Sequence, residues 1–163
     1  MYIGVDPGLT GAVGVVDEDG RVVGVHDLPV LIGKNRSKEL HLPQIVKLIR
    51  EMVGDAEGFA AVERVHAMPK QGVRSCFRFG KATGHLEGIC SALGYQLILV
   101  TPQSWQKQFT RFVDGADTKV KSVLAASYKW PDVDLPRKKD HNKAEALLIA
   151  EFCRLHHQNK LKQ

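Results

Sequence analysis

The first quarter of the chain alternates between apolar and polar or glycine positions, with the period of two that β-strands show. The segments MYIGVDPG, TGAVGVVDEDG and RVVGVHDLPV predict three short strands, and Asp19-Gly20 predicts the hairpin turn between the second and the third. The polar run at 31–37 predicts a loop. We therefore expect the chain to begin with a three-strand meander.

The rest of the chain alternates between helical and strand-like patterns. Apolar spacing predicts a short helix in QSWQKQF and longer helices at about 42–53, 73–93, 118–129 and 141–157. GFAAVERV (58–65) and YQLILVTP predict two more strands, and the continuous apolar run of the second favours burial on both of its faces. This order indicates a single α/β domain with a sheet of mixed direction over 1–157, followed by a polar tail at 158–163.

Composition adds a preference for an anionic partner. The 163 residues carry a formal net charge of +5 and a pI of about 9.2, with 44% hydrophobic and 25% charged residues. A moderately basic protein of this kind favours nucleic acid as its partner, although charge alone fits a merely soluble basic protein as well.

Cysteine usage and hydropathy indicate a cytosolic protein that does not enter a membrane. Cys76, Cys90 and Cys153 are widely spaced, without the pairing typical of a zinc site, and fall in predicted helices, which favours reduced, buried thiols. No signal peptide is visible, and the longest apolar runs fall far short of the roughly 18 residues that a membrane span needs.

Three carboxylates stand at the ends of predicted core elements. Asp6 precedes Pro-Gly, so it lies where the first strand leaves the sheet. Glu63 ends the fourth strand and shares a face with Phe59 and Ala61. Glu145 lies in the first turn of the last helix, on the side that carries its apolar residues. Each is a charge on a nominally inward face.

Each of these acids also has an ordinary explanation. Asp6 could cap a turn, Glu63 could pair with Arg64 or Arg74 or face water, and Glu145 could favour the helix dipole. Together, however, three inward acids cannot stay ionised without positive charge, and no basic residue on these stripes could neutralise them all. A divalent cation would do so, and carboxylate ligands without thiolates indicate Mg²⁺ or Mn²⁺ rather than zinc.

Acids that converge on Mg²⁺ in a basic protein suggest phosphodiester chemistry. Two ions about 3.5–4 Å apart can activate a water molecule and stabilise the leaving 3′ oxygen. Such a site needs about four ligand groups, and the fourth candidate lies among Asp140, His141 and Asn142.

Four segments together resemble the RuvC-type Holliday junction resolvases of the ribonuclease H-like superfamily: IGVDPGLTGAVGVVD, AVERV, FRFGKATGHLEGICSALG and HNKAEALLIAEF. The resemblance runs from residue 3 to about 155, and TPQSWQK and TKVKS look most similar to the shorter phage-encoded members. It implies a five-stranded mixed sheet, a three-strand antiparallel meander plus two parallel strands, flanked by helices.

The resemblance also implies an activity and a cellular setting. Resolvases of this type are Mg²⁺-dependent endonucleases that cut four-way DNA junctions by paired symmetric nicks, in DNA recombination and repair. They use two Mg²⁺ ions per active site, for which Mn²⁺ can substitute, and need no nucleotide cofactor. The implied location is the cytoplasm of a bacterium or of a phage-infected host.

The family's catalytic acids map onto the three carboxylates already singled out. Its first Asp corresponds to Asp6, its Glu at the end of the fourth strand to Glu63, and its last acidic residue to Glu145, where the family more often has Asp. The resemblance therefore implies that these residues are both catalytic and metal-binding.

The fourth ligand is where this sequence departs from the family. The usual Asp or His position is occupied by Asn142, which is a poor metal ligand. His141 lies one helical turn before Glu145 on the same side, so it is the favoured replacement, either as a ligand or acting on the attacking water. Asp140 is the second candidate, and it is also a natural helix N-cap.

Three glycines recur every four residues on the long helix, at Gly80, Gly84 and Gly88. Each costs about 1 kcal/mol relative to alanine, and together they form a bare ridge that another element can approach closely. Packing on the protein's own sheet and packing on a partner helix explain the ridge equally well. The resemblance implies the second, a homodimer through the 73–93 helix that presents two active sites to a two-fold symmetric junction.

Several basic and polar residues are candidate DNA contacts, although a solvated surface is the default for any single lysine. The loop 66–72 follows Glu63 directly, in a region that related resolvases use to probe the junction core. One of Phe77 and Phe79 is expected in the core, and the other could stack on a base or pack at the dimer, whereas Trp105 is expected in the core. The candidate DNA contacts are Met68, Lys70, Gln71, Arg74, Arg78, Lys81, Lys107, Lys119, Lys121, Arg137, Lys138 and Lys139.

Three other functions compete with junction resolution. DPGLTGAVGVVD also resembles the first phosphate loop of actin-like ATPases and sugar kinases, but those proteins need two such lobes and this chain has room for one. A DNA-binding protein that has lost catalysis is favoured by Asn142 and opposed by the presence of all three acids. A nuclease with a broader range, which also cuts flaps and forks, is hardly distinguished by the sequence.

Overall fold

The computed structural model describes residues 1–64, 72–114 and 117–161, with the side chain of Lys138 left aside. The candidate DNA contacts Met68, Lys70 and Gln71 therefore lie outside the described residues. The strands, in chain order, are β1 (Tyr2–Asp6), β2 (Ala12–Val16), β3 (Val22–Asp27), β4 (Val30–Ile32), β5 (Lys38–Leu40), β6 (Phe59–Glu63) and β7 (Gln96–Val100). The helices are α1 (Leu42–Val53), α2 (Val73–Ala92), α3 (Pro102–Phe109), α4 (Thr118–Lys129) and α5 (His141–Leu161).

The main sheet has five strands in the order β3-β2-β1-β6-β7. β1, β2 and β3 form an antiparallel meander, and β6 and β7 run parallel to β1. The turn between β2 and β3 contains Gly20 at a φ of 82°, a left-handed conformation that glycine adopts without steric cost. The expected mixed sheet, with three antiparallel and two parallel strands, is confirmed.

Apolar side chains on the two faces of the sheet build two separate cores, because successive residues of a strand point to opposite faces. Ile3 and Val5 of β1 pack with Ile45 and Ile49 of α1 and with Leu86 of α2. On the opposite face, a second cluster joins the sheet to α3, α4 and α5. Its fully buried members include Ala61, Trp105, Ala144, Leu147, Leu148 and Ile149.

Two glycines let α5 lie directly on the sheet. A Cβ atom added to Gly4 of β1 would lie 2.1 Å from the carbonyl oxygen of Ala146 and 2.2 Å from the backbone nitrogen of Ala150. At Gly14 of β2, an added Cβ would lie 3.0 Å from the backbone nitrogen of Leu147. Side chains larger than hydrogen would therefore force the helix away from the strands, so the glycines set the height of α5 above the sheet.

The segment 31–37 is not a loop, as its polarity suggested, but most of a small hairpin. Val30 pairs with Leu40, and Ile32 pairs with Lys38, in a second, two-stranded antiparallel sheet. A short 3₁₀ turn, Lys34–Arg36, closes it. The strands have three residues each, too few for a periodic pattern, and contacts to α2 help to hold them, so the sequence pattern did not reveal them.

The expected double-sided burial of YQLILVTP is also wrong, because β7 is the edge strand of the sheet. Gln96 is exposed, and Leu99 is 47% exposed. An apolar run shows only the composition of a strand. Whether the strand is buried depends on its position in the sheet and on the elements that cover it.

The last helix continues beyond residue 157, into the segment expected to be a polar tail, and is helical to Leu161. The amide nitrogen of Gln158 donates to the carbonyl oxygen of Glu18 at 3.1 Å, and Arg154 donates both to that carbonyl and to the Gln158 side chain. The β2–β3 turn therefore holds the end of the helix, a contact that local sequence does not contain.

Two further expectations concern the thiols and the membrane. Cys90 and Cys153 are buried, and burial raises the pKa of each thiol to about 12, so both are protonated near neutral pH. Over the ranges that the structure describes, no helix is both long and apolar enough to cross a membrane.

Candidate active site

Two of the three carboxylates meet because parallel strands end at the same edge of a sheet. β1 and β6 are neighbours, with Val5 opposite Val62, so Asp6 and Glu63 follow at the same level. Both lie on the face that α5 covers, in line with Gly4 and Ala61. Asp6 is 9% exposed, and Glu63 is half-buried.

The third carboxylate arrives with the helix. α5 begins at His141 above this edge, and the apolar residues that follow dock it on β1 and β2. Glu145 is therefore delivered to the strand ends half-buried, and the charge of Glu63 acts on it. The docking of the apolar stripe on the sheet therefore also explains why Glu145 lies at the strand ends.

Burial raises the pKa of all three acids, and repulsion between carboxylates raises the pKa of Asp6 and Glu145 further. Burial, followed by the charges of Glu145 and Glu63, raises the pKa of Asp6 well above its ordinary value. Burial raises the pKa of Glu63. Burial and the charge of Glu63 raise the pKa of Glu145 to about 7. Lys119 opposes these effects at Asp6 and Glu145, but not enough to cancel them.

Two neutral hydrogen-bond donors, neither of them predicted from the sequence to hold the acids, orient the two glutamates. Nε1 of Trp105, which is fully buried, donates to Glu63 at 2.9 Å. Oγ of Ser122 donates to Glu145 at 3.2 Å. Trp105 was expected in the core, as it is, but the sequence offered no sign of its second role, because α3 and β6 meet only in the folded chain.

The three residues around the start of α5 have different surroundings. Nδ2 of Asn142 donates to the backbone carbonyl of Thr10, so this side chain ties the helix to the loop that follows Asp6. His141 is half-buried and lines a cavity of about 460 Å³ together with Asp117 and Lys119. Arg137 lines this cavity as well, and Lys119 also acts on Asp6 and Glu145.

Asp140 is 1% exposed and belongs to an ion-pair network. It accepts hydrogen bonds from the backbone nitrogen of Arg137 at 2.7 Å and from its Nε at 2.8 Å. Burial raises the pKa of Asp140, but the bonds from Arg137 outweigh this and lower it. Arg137 also pairs with Asp27 at 2.9 Å, and so does Lys139 at 3.0 Å. The network clamps the start of α5 to the end of β3.

The basic residues proposed to contact DNA fall into different settings. Lys119 lies near the acids, and Lys139 is engaged by Asp27. Arg78 donates to the carbonyl oxygen of Lys38, and Lys81 pairs with Glu39 at 3.9 Å. Arg74 and Lys107 are exposed, and Lys121 is half-buried. The residues therefore do not form one patch.

The chemistry of the donor set fits a hard divalent cation. Asp6, Glu63 and Glu145 offer carboxylate oxygens whose ionised forms are disfavoured by burial and repulsion, and a bound cation would relieve both. As the side chains stand, no three His, Cys, Asp or Glu residues within the described ranges are grouped closely enough to hold an ion. The carboxylates would have to close up around it.

The comparisons with known proteins identify the fold. RuvC of Thermus thermophilus in complex with a Holliday junction substrate matches 98% of this chain and 94% of its own, with a TM-score of 0.63 and 17% identity. A second structure of Thermus thermophilus RuvC matches 98% and 95%, with a TM-score of 0.51 and 17% identity. No protein-family model and no curated protein matches the sequence.

The chain therefore has the RuvC-like, ribonuclease H-like fold that the four sequence segments implied. At 17% identity the likeness concerns the fold alone. The greater similarity to phage-encoded members stays a prediction.

The raised pKa of Glu145 predicts that the metal-free protein loses stability as the pH rises from about 5 to above 7. Glu145 ionises near its ordinary pKa of 4.5 in the unfolded chain but near 7 in the folded one. Between these values the folded state binds more protons, so the free energy of unfolding falls with rising pH. We expect Glu145 to account for a loss on the order of 2 kcal/mol.

Urea unfolding in EDTA between pH 4.5 and 8 measures this dependence. Glu145→Gln, which can still accept from Ser122, should flatten the profile, whereas Glu51→Gln on the exposed side of α1 should leave it steep. A Glu145→Gln profile as steep as that of the wild type would exclude ionisation of Glu145 as the cause.

Proposed function

We propose that this protein is a Mg²⁺-dependent endonuclease that cuts branched DNA and resolves four-way junctions by paired nicks. The observation that carries the proposal is the meeting of Asp6, Glu63 and Glu145, from two strands and a helix, at one edge of a RuvC-like sheet. Three buried acids that repel one another destabilise the metal-free fold, so a function that uses their charge explains their position best.

The residues divide the chemistry between them. Asp6, Glu63, Glu145 and His141 would hold two Mg²⁺ ions, or Mn²⁺ in their place. When bound, such ions activate the attacking water and stabilise the leaving 3′ oxygen. Trp105 and Ser122 orient the two glutamates by hydrogen bonds, and Lys119 offsets part of the negative charge.

We favour His141 over Asp140 as the fourth ligand. The carboxylate of Asp140 accepts several hydrogen bonds from Arg137, and moving it to a metal would break the clamp on α5. His141 lies in the first turn of α5, one helical turn before Glu145, and lines a cavity together with Lys119. Asn142, at the family's usual ligand position, instead secures α5 to the loop after β1.

Branched DNA is the substrate class that the fold and charge support together. The structural neighbour was solved with a Holliday junction, and this chain carries a net charge of +5. Lys119 on α4 acts on Asp6 and Glu145, and Arg78 on α2 lines a cavity with the loop that follows Asp6, so both would lie near a phosphate backbone that enters the site. Flaps and forks share these features, so a broader branched-DNA nuclease is the second candidate.

The glycine ridge on α2 supports a homodimer. Gly80, Gly84 and Gly88 are all exposed, and a Cβ atom added to any of them would meet no atom of the described residues within 4 Å. Packing on the protein's own sheet, one of the two explanations of the ridge, is therefore wrong. On the same helix Phe77 is 72% exposed and Val73 is 86% exposed. A second copy of α2 would cover this face and explain the cost of three helical glycines.

The first prediction from this proposal concerns catalysis. Asp6→Asn should lower the cleavage rate of a synthetic four-way junction by roughly 10²–10³-fold or more, because it removes one charge from the site while preserving its shape. Junction binding, measured by fluorescence anisotropy in EDTA, should persist. Asp55→Asn, an exposed change at the opposite edge of the sheet, is the matched control and should cut normally.

The same assay separates the candidate substrates. A junction, a flap, a fork and a linear duplex should be compared with Mg²⁺ and with EDTA, without ATP. Symmetric nicks in the junction alone indicate a strict resolvase, and equal cutting of flaps indicates the broader nuclease. Wild-type rates in Asp6→Asn would refute the proposed site.

The second prediction concerns the fourth ligand. His141→Ala should raise the Mg²⁺ concentration that gives half-maximal cleavage, because it removes a donor from the ion. Asp140→Ala should mainly lower the melting temperature, because Arg137 then loses a buried partner. A larger shift of the Mg²⁺ dependence in Asp140→Ala than in His141→Ala would assign the ligand to Asp140.

The third prediction concerns assembly. Gly84→Gln should leave the monomer folded, since space is open around this position, but weaken the dimer by at least about tenfold by blocking close approach of the second helix. Ser127→Gln, on the exposed side of α4, is the control. Sedimentation velocity over a concentration series measures both. A wild-type protein that stays monomeric, or a dimer that tolerates Gly84→Gln, would contradict the assignment.

A further inference from the structure

The hairpin formed by β4 and β5 has no role in the site described so far, yet it is strongly basic. Every residue from 31 to 39 is exposed. Lys34, Arg36 and Lys38 lie within it, against a single acid, Glu39. Three cations on one short projection are a charged surface that no structural requirement of the monomer explains.

Hydrogen bonds hold the tip of the hairpin in a defined turn. The backbone nitrogen of Gly33 donates to the carbonyl oxygen of Ser37 at 2.8 Å, and Oγ of Ser37 donates to the carbonyl oxygen of Lys34 at 3.1 Å. Between them Asn35 and Arg36 have φ values of 62° and 57°, which are uncommon for a residue such as arginine. The turn holds two basic side chains, Lys34 and Arg36, at the outer end of the projection.

The hairpin is attached to α2 close to the loop that follows Asp6. Nη2 of Arg78 donates to the carbonyl oxygen of Lys38 at 3.3 Å, and Lys81 pairs with Glu39. A cavity of about 120 Å³ separates the two elements, with Leu9 and Leu40 in its lining and Lys38, Arg78, Lys81 and His85 among its polar groups.

Arg78 connects this cavity to the catalytic edge of the sheet. It also lines a second cavity, of about 410 Å³, whose wall is formed by residues 7–10, the loop that directly follows Asp6. A line of cations therefore runs from the neighbourhood of Asp6, through Arg78 and Lys38, to Arg36 at the tip.

The shape of this surface fits a polyanion better than a small anionic ligand. Pockets for nucleotide-sized molecules have volumes of about 300–1,000 Å³ and converging polar groups. Here the cavity beneath the hairpin is smaller, and the cations are spread along a line. Spaced cations match the regular phosphates of a nucleic acid backbone.

We propose that the β4–β5 hairpin is a DNA-backbone clamp, in which Lys34, Arg36 and Lys38 contact phosphates of a duplex arm that leaves the active site over α2. Arg78 is the positioning residue that fixes the hairpin to the helix. This inference rests on the proposed action on DNA and extends it to an element that the sequence pattern assigned to a loop.

The test compares two triple variants with the same change in charge. Lys34→Gln/Arg36→Gln/Lys38→Gln removes the clamp. Lys47→Gln/Arg50→Gln/Lys160→Gln removes three exposed cations that are outside the hairpin. Circular dichroism checks the fold of each, and fluorescence anisotropy in EDTA measures the dissociation constant for a four-way junction and a linear duplex over a series of salt concentrations.

We expect the hairpin variant to bind both DNAs more weakly than the wild type, by on the order of tenfold or more. The slope of log affinity against log salt concentration should become shallower by about two to three, because two or three phosphate contacts are lost. The control variant should change less than threefold.

Unchanged affinity and salt slope in the hairpin variant would overturn the clamp, and so would an equal loss in the control, since the effect would then be one of net charge. If the proposed nuclease function itself is wrong, the result is different, because the wild-type protein would then bind duplex and junction without cutting either. In that case the comparison of the two variants on duplex DNA would still decide the clamp, while a wild type that binds no DNA would overturn both.

Discussion

The close contact of α5 with β1 and β2 is the constraint on which the rest of the molecule depends. Gly4 and Gly14 remove the side chains that would hold the helix away, and its backbone then lies directly on the strands. Leu147, Leu148 and Ile149, all fully buried, fix its rotation. Since Glu145 lies on the same helix, this packing decides where the acid stands relative to Asp6 and Glu63.

The fold thereby accepts an electrostatic cost at the strand ends where the three acids lie. Raising the pKa of Glu145 from 4.5 to about 7 corresponds to on the order of 3 kcal/mol if taken in full, and partial exposure makes the cost smaller. Burial of each leucine or isoleucine side chain of α5 stabilises the folded state by about 1.5–3 kcal/mol. The apolar stripe therefore outweighs the repulsion, which Lys119 offsets only in part.

The start of α5 is secured from two sides, which keeps the acids in register with the strand ends. Asn142 holds the loop after β1, and Asp140 holds Arg137, which also holds Asp27 at the end of β3. Asn142, where the resemblance to RuvC-type resolvases implies a ligand, is an attachment point in this structure. The neighbouring His141 lines a cavity together with Lys119.

The alternating and helical patterns determined most of the elements, and the misplaced charges at Asp6, Glu63 and Glu145 marked the site, because amphipathic periodicity and its violations are local properties. Tertiary structure alone decided the rest. β7 became an edge strand, residues 30–40 became a hairpin, and the glycine ridge of α2 became an exposed surface. Trp105 donates to Glu63, 42 positions away in the chain, and Ser122 donates to Glu145, 23 positions away. Such contacts depend on which elements become neighbours, and the sequence of one segment carries no record of its partner.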